Sequence, residues 1–322
     1  TGGYMDFIGA DGSEAGVVNA PAPLGTTVEC IACHNDATAE MTSVVMPSGV
    51  ELLGLGDESR CIQCHQGRAS TVSVNAGLEE AGLAGEEDLD TVSEEVGFSN
   101  IHYYAAAATQ FGKAAMGGYE YDGKTYDSKF DHVEGYDTCI DCHNSHTLEV
   151  KVDDCVECHE GVTSPEDLVN VRMAGSLVDY NGNGDMEEGI AAEIEGLRAM
   201  LYEAMQAYSS EVSGSEVVYD AAAYPYYFDS AGERYGSWTP RLAKAAYNYQ
   251  VSLKDPGNFA HGGKYTIQLL YDSIESLNEA IATPVDLSAA NRIDHGHFAG
   301  SEEAFRHWDE DGAVPGSCSK CH

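Results

Sequence analysis

The residues best suited to chemistry in this chain are its ten cysteines, which all fall into five copies of the pattern Cys-x-x-Cys-His. Two thiols three residues apart can reach the two vinyl groups of one porphyrin, and the adjacent histidine is then directed at the iron. The sequence therefore predicts five covalently attached haems of the c type. The attachment cysteines and proximal histidines are Cys30, Cys33 and His34; Cys61, Cys64 and His65; Cys139, Cys142 and His143; Cys155, Cys158 and His159; and Cys318, Cys321 and His322.

Zinc is the main alternative for paired cysteines, since two Cys-x-x-Cys units can form a four-cysteine site. A zinc site does not require a histidine directly after every second cysteine, and only 12 of the 322 residues are histidine. Redox-active disulfide motifs do not require one either. The repeated histidine therefore favours haem, and no cysteine is left over for a disulfide.

The second axial ligands are expected among the seven histidines outside the motifs, because five irons would need five of them. A lone histidine is more often an ordinary surface or core residue, but here the free histidines nearly match the open iron positions in number. We expect distal ligands among His102, His132, His146, His261, His297 and His307, and we rank His295 lower. Methionine is the alternative ligand, and the methionines nearest to the motifs are Met41, Met46 and Met116.

The local sequence favours several of these candidates. His146 follows the third motif by three residues, a link that reaches a neighbouring haem more readily than its own. His102 opens an alanine-rich stretch that predicts a helix over residues 102–111, and His132 is expected in a loop before the third motif. His261 lies between Asp-Pro-Gly and Gly-Gly, which predicts a turn between two helical segments.

The motifs divide the chain into two predicted regions. Residues 1–160 carry four motifs, and residues 161–322 are expected to be helical and to hold distal ligands and the fifth haem. The predicted fold class is mainly α and coil with little β. Five haems would also replace much of a conventional hydrophobic core.

Apolar residues at steps of three and four predict three helices in the second region. These cover residues 190–208, residues 239–254 with Thr239 as cap and Pro240 in the first turn, and residues 267–281. Residues 35–60 and 66–100 look rich in loops, and strand signals at 71–74 and 216–219 are short.

A candidate calcium loop covers residues 179–188, where oxygen-bearing side chains alternate and glycine takes the sixth position, as in an EF-hand. The twelfth position is Ile190 rather than the usual bidentate glutamate, so the tenth residue would close a shortened loop. An ordinary Asn-Gly turn that caps the next helix is the alternative. The predicted Ca²⁺ ligands are Asp179, Asn181, Asn183, Asp185 and Glu188.

The charge of the chain restricts its partners. Lys and Arg total 16 against 54 Asp and Glu, for a formal net charge of −38, so nucleic acid and anionic lipid are poor partners. Such a charge favours solubility in a salty medium, or attraction to cations and mineral surfaces. With no apolar stretch long enough to span a membrane and no leader at the start, we expect an exported chain, extracellular or at the cell surface, or else periplasmic.

The five motifs, with the Cys-x-x-Cys-His-x-x-His element of residues 139–146, resemble those of multihaem c-type cytochromes of respiratory electron transfer. That group includes extracellular cytochromes, some of which polymerise into conductive filaments, and catalytic pentahaem nitrite reductases. The reductases use a lysine-bearing motif at an open active-site haem, whereas all five motifs here end in histidine. The resemblance therefore implies low-spin, mostly bis-histidine haems closed to substrate.

These observations predict electron transfer rather than catalysis. The leading hypothesis is an extracellular conduit of five haems, and copies of the chain would join into a filament if terminal haems near His34 and His322 meet those of neighbours. The alternatives are a soluble periplasmic shuttle or reductase subunit, and a nitrite or hydroxylamine reductase. Expected partners are redox proteins, copies of the chain, and an extracellular mineral or other terminal acceptor.

Overall fold

The computed structural model describes residues 2–24, 27–172, 176 and 178–294. The described chain is mostly helix and coil, which confirms the predicted fold class. Short elements dominate before residue 160. They are α1 (Gly2–Phe7), α2 (Cys30–Cys33), α3 (Asp36–Ala39), β1 (Ser43–Val45), β2 (Glu51–Leu53), α4 (Ser59–His65), α5 (Thr71–Glu80), α6 (Ala106–Gln110), α7 (Cys139–Cys142) and α8 (Val152–Cys155).

Longer helices follow, with one small hairpin between them. They are α9 (Ile190–Tyr208), β3 (Val218–Tyr219), β4 (Tyr227–Phe228), α10 (Pro240–Lys254) and α11 (Asn258–Asn278). The strands form two antiparallel pairs: Val44 lies opposite Leu52 in β1–β2, and Tyr219 lies opposite Tyr227 in β3–β4.

Helix α9 confirms the helix predicted over residues 190–208. Its apolar stripe turns inward, and Ile194, Leu197 and Leu201 are fully buried. Because the stripe repeats every three to four residues, it covers one side of the helix and packs mainly against α11.

Helix α10 begins as predicted. Thr239 caps it by accepting a hydrogen bond from the Leu242 amide at 3.1 Å, and Pro240 occupies the first turn, where its missing N–H costs nothing. The helix ends at Lys254, directly before Asp255-Pro256.

Helix α11 starts earlier than the apolar pattern predicted and is kinked. The backbone of Gly262 leaves the helical range, with φ −168° and ψ 60°, so His261 lies at the end of a first helical segment, next to the kink. A Cβ at Gly262 would lie 2.2 Å from the carbonyl oxygen of Thr109, so glycine allows the close approach of α6 to α11. Ile281 is buried beyond the C-terminal end of the helix.

Two expectations for the N-terminal part are wrong. Residues 71–74 form the start of α5, not a strand, because Ser70 caps a helix whose Val74 and Leu78 lie one turn apart and are buried. The helix expected over residues 102–111 begins only at Ala106, since residues before it take left-handed backbone angles.

The main hydrophobic core is built of protein side chains. Buried aliphatic and tyrosine residues of α9, α10 and α11 form it, and side chains from residues 69–126 join the same cluster. A smaller core lies between the β1–β2 hairpin, α4 and α6. In the described residues the helices thus have a conventional core, and the predicted division at residue 160 stays a prediction.

The burial of α9 predicts a clear difference between two substitutions two residues apart. Leu201→Ala should lower the free energy of unfolding by about 2–5 kcal/mol, because it removes buried methyl groups and leaves a cavity. Glu203→Ala, on the exposed side of the same helix, should change it by less than about 0.5 kcal/mol. Urea unfolding followed by far-UV circular dichroism measures both, and equal losses would contradict the placement of the α9 stripe.

Candidate haem sites

The four described motifs share one local geometry. In the first, third and fourth, the amide of the motif histidine donates a hydrogen bond to the carbonyl of the first cysteine at 2.9 Å, which closes one helical turn. The second motif lies inside α4. Positions i, i+3 and i+4 of a helical turn share a face, so both thiols and the imidazole of a motif point to the same side.

Several of the predicted ligands near the C-terminal end of the chain are not among the described residues. The fifth motif, with Cys318, Cys321 and His322, lies outside the described residues, and so do His295, His297 and His307.

Three motif histidines each face a histidine from elsewhere in the chain. The ring centroids of His34 and His146 are 6.2 Å apart, with planes inclined by 10°. His143 and His261 are 6.3 Å apart at 45°, and His159 and His132 are 5.8 Å apart at 33°. Two imidazoles that bind one metal from opposite sides, with metal–nitrogen bonds of about 2 Å and ring centres about 1 Å behind the nitrogens, would have centroids about 6 Å apart.

The Nδ1 atoms of several candidate ligands are engaged by groups that can only accept. His65 Nδ1 lies 2.7 Å from the carbonyl oxygen of Tyr104, and His143 Nδ1 lies 3.2 Å from that of Leu148. His261 Nδ1 lies 2.9 Å from a carboxylate oxygen of Asp255. Because a carbonyl or carboxylate oxygen accepts the proton, each Nδ1 carries hydrogen and each Nε2 is left to bind a metal.

His261 is fixed by the turn between α10 and α11. Burial is the largest single effect and lowers its pKa, but the attraction of the nearly fully buried Asp255 carboxylate and the hydrogen bond to it together outweigh burial, so the net shift is upward. A Cβ at Gly257 would lie 2.7 Å from the imidazole, so glycine makes room for the ring. The Asp-Pro-Gly turn was predicted from the sequence. The role of Asp255 was not, because no local pattern reveals it.

His102 and His132 differ in their surroundings. Burial lowers the pKa of both; Arg68 and Lys254 add to the effect at His102, and His159 adds to it at His132. Among the ring contacts of the described residues, His102 pairs with Tyr103 at 5.2 Å rather than with a motif histidine. Its ligation therefore stays a prediction.

The thiols of successive motifs lie near one another. The interaction between the Cys61 and Cys139 thiols lowers the pKa of Cys61 and raises that of Cys139, and the Cys139 thiol donates to Gln110 Oε1 at 3.8 Å. Burial raises the pKa of Cys64, and the neighbouring Cys33 raises it further. Burial and then Cys155 likewise raise the pKa of the Cys142 thiol. In a haem-bearing chain these sulfurs would be thioethers without a titratable proton. The closeness of the sulfurs of different motifs is therefore the property that carries over to the haem-bearing protein.

Two of the three candidate methionine ligands, Met41 and Met46, lie in or against the small core. Met46 is buried in it beside Val44 and Leu52, and Met41 packs against it. Met116 has a left-handed φ of 54° and is partly buried. Methionine ligation stays an untested alternative.

In the candidate calcium loop, oxygen side chains hold the loop itself. Asp179 accepts hydrogen bonds from two glycine amides, and Asp185 accepts from the amides of residues 187 and 188. Glu188 Oε1 accepts from the side-chain amides of Asn181, at 2.6 Å, and Asn183, at 3.0 Å. Within the described ranges no group of three His, Cys, Asp or Glu side chains is placed to hold a metal ion. Calcium therefore stays a prediction from the sequence.

Comparison with known proteins shows similarity to multihaem c-type cytochromes. The chain is 25% identical over 277 residues to the C-type polyheme cytochrome OmcB of Geobacter sulfurreducens, covering 73% of this chain and 34% of that protein. It is 25% identical over 268 residues to OmcC of the same species, covering 71% and 31%. The chain thus spans about a third of the length of these relatives. No family model matches, and no solved structure matches either.

The turn that carries His146 generates a prediction. Asn144 Oδ1 accepts hydrogen bonds from the amides of His146, at 2.9 Å, and Thr147, at 3.0 Å. Asn144→Ala removes this acceptor at a cost of about 1 kcal/mol, so both amides should exchange with solvent about fivefold faster in hydrogen exchange measured by NMR.

The matched control is Thr147→Ala. The Thr147 hydroxyl accepts from the Glu149 amide at 3.4 Å, so its loss should affect that amide and leave His146 protected. Equal protection of the His146 amide in the Asn144 variant and the parent would show that this turn does not hold His146.

Proposed function

We propose that this chain is an electron-transfer protein that carries c-type haems on its Cys-x-x-Cys-His motifs. In this proposal three irons have histidine on both sides: His34 with His146, His143 with His261, and His159 with His132. The observation that supports it most directly is the separation of these ring pairs, 5.8–6.3 Å, which suits an axial pair. The similarity to polyheme cytochromes supports the same reading.

The donor set fits haem better than a small ion. Each described motif presents two thiols and one imidazole on one side of a turn, and in three cases a second imidazole faces the first. Bound haem would supply one-electron exchange between ferric and ferrous iron. The chain fixes the sulfurs by its helical turns and orients His143 and His261 through Leu148 and Asp255.

Closed iron positions favour conduction over catalysis. A small substrate could bind an iron with two histidines only if one ligand left, so the three proposed pairs are unsuited to substrate reduction. The second and fifth irons are assigned their proximal ligands, His65 and His322, and the sequence-predicted distal histidines that remain are His102, His297 and His307.

We further propose that the chain works outside the cytoplasm. Haem attachment to such motifs takes place beyond the cytoplasmic membrane, and the strongly acidic composition suits a protein that exchanges electrons with cationic partners or mineral surfaces. No helix among the described residues is both long and apolar enough to cross a membrane. The filament hypothesis depends on residues near His322, which lie outside the described part, and it stays a prediction from the sequence.

The first test counts haems. Protein matured in a host that attaches c-type haem should contain five irons per chain and five haems by intact mass. The double substitution Cys61→Ala and Cys64→Ala should leave four of each, because only the second motif is removed. Bound zinc in place of iron, or no change in haem content in the variant, would contradict the proposal.

The second test removes one proposed axial ligand. His146→Gly should convert one of the low-spin haems to a high-spin haem in the EPR spectrum, and added imidazole should restore the low-spin signal by filling the vacated position. Thr147→Gly, at an exposed neighbouring residue, is the control and should stay low-spin. An unchanged low-spin spectrum in the His146 variant would remove His146 from the ligand set.

A further inference from the structure

We propose that residues 139–151, here called the junction segment, place the third haem site in contact with the first, second and fourth sites. The sites are numbered by their motifs in chain order. This inference rests on the proposed haem attachment and adds a branched order to it, in which the third site is the common neighbour. Three sets of contacts, each to a different site, carry the argument.

The first contact is to the first site. His146 belongs to the junction segment, yet its ring centroid lies 6.2 Å from that of His34, with planes inclined by only 10°. His143, three residues earlier, faces His261 instead. One short turn therefore supplies a ligand to its own haem and another to the first haem.

The second contact is to the second site. The Cys139 amide donates a hydrogen bond to the Glu58 carboxylate at 3.0 Å, and Glu58 is the buried residue directly before α4, which carries the second motif. The Cys139 and Cys61 thiols are also near enough for each to shift the pKa of the other. The attachment sulfurs of two haems are thus neighbours.

The third contact is to the fourth site. Lys151 donates from its amide to the Cys142 carbonyl at 2.8 Å and from Nζ to the Ile140 carbonyl at 2.7 Å. The Cys155 thiol in turn lies 3.8 Å from the Lys151 carbonyl oxygen. The fourth motif is therefore tied to the third through a single residue.

Contacts within the junction segment hold it in one turn, which fixes the positions of the groups that contact the other sites. Asn144 donates from its amide to the Glu149 carbonyl at 2.9 Å, and His143 pairs with Val150 in an antiparallel bridge. Because electron exchange weakens steeply with distance, a site with three close neighbours is the natural exchange point among them. With haem bound, the third site would lie between the fourth site and the first or second.

The test requires a variant in which the third haem can be reduced while the other haems stay oxidised. The substitution His261→Met in the haem-loaded protein should raise the reduction potential of the third haem, because a methionine ligand raises it. A mild reductant should then make the third haem ferrous and diamagnetic while the other haems stay ferric. The NMR and EPR signals of at least three other haems should change in that step, because each loses a paramagnetic neighbour. In the His132→Met variant, reduction of the fourth haem alone should change the signals of at most two other haems, the third and the fifth.

The outcomes separate the two proposals. Three or more changed signals in the His132 variant, or two or fewer in the His261 variant, would overturn the junction while leaving haem ligation intact. No haem of raised potential in the His261 variant would overturn the ligation by His261 itself. If the methionine variants do not load haem, His261→Gly and His132→Gly allow the same comparison, with carbon monoxide holding only the opened iron in the ferrous state.

Discussion

The placement of two imidazoles about 6 Å apart, from parts of the chain distant in sequence, is the constraint on which the proposed sites depend. The proximal half of each site is local, because a single helical turn brings two thiols and a histidine to one side. In two of the three proposed pairs the distal half is not local. His34 meets His146, and His143 meets His261, across more than a hundred residues in each case, so those rings approach only if the intervening chain is folded correctly.

The helical part of the chain meets this requirement for His261. The ring lies where α10 ends and α11 begins, and three features fix it: the Asp255 carboxylate on its Nδ1, the absence of a side chain at Gly257, and the kink at Gly262. The helices on either side are held by the main hydrophobic core. The conventional core and the proposed haem ligand His261 are therefore parts of one arrangement, and residues 69–126 pack into the same core as the helices.

Local patterns predicted what is determined locally. The motif turns follow from cysteine spacing, and α9 and α10 follow from apolar periodicity and from the Thr239 cap, because burial of a stripe and capping of an end are properties of neighbouring residues. Prediction was wrong at residues 71–74, where β-branched residues suggested a strand although Ser70 starts a helix. The pairing of particular histidines and the role of Asp255 were out of reach, since they depend on contacts between distant segments.

The junction segment shows how a short sequence can determine a long-range arrangement. A linear order of haems needs each motif to contact only the next, and such contacts arise easily when motifs are close in sequence, as the third and fourth are. The first and second motifs lie far from the third in sequence, yet His146 and Cys139 contact both. Since one hydrogen-bonded turn carries all of these groups, a shift of that turn would alter three neighbour relations together, which favours a rigid branch point over a series of independent steps.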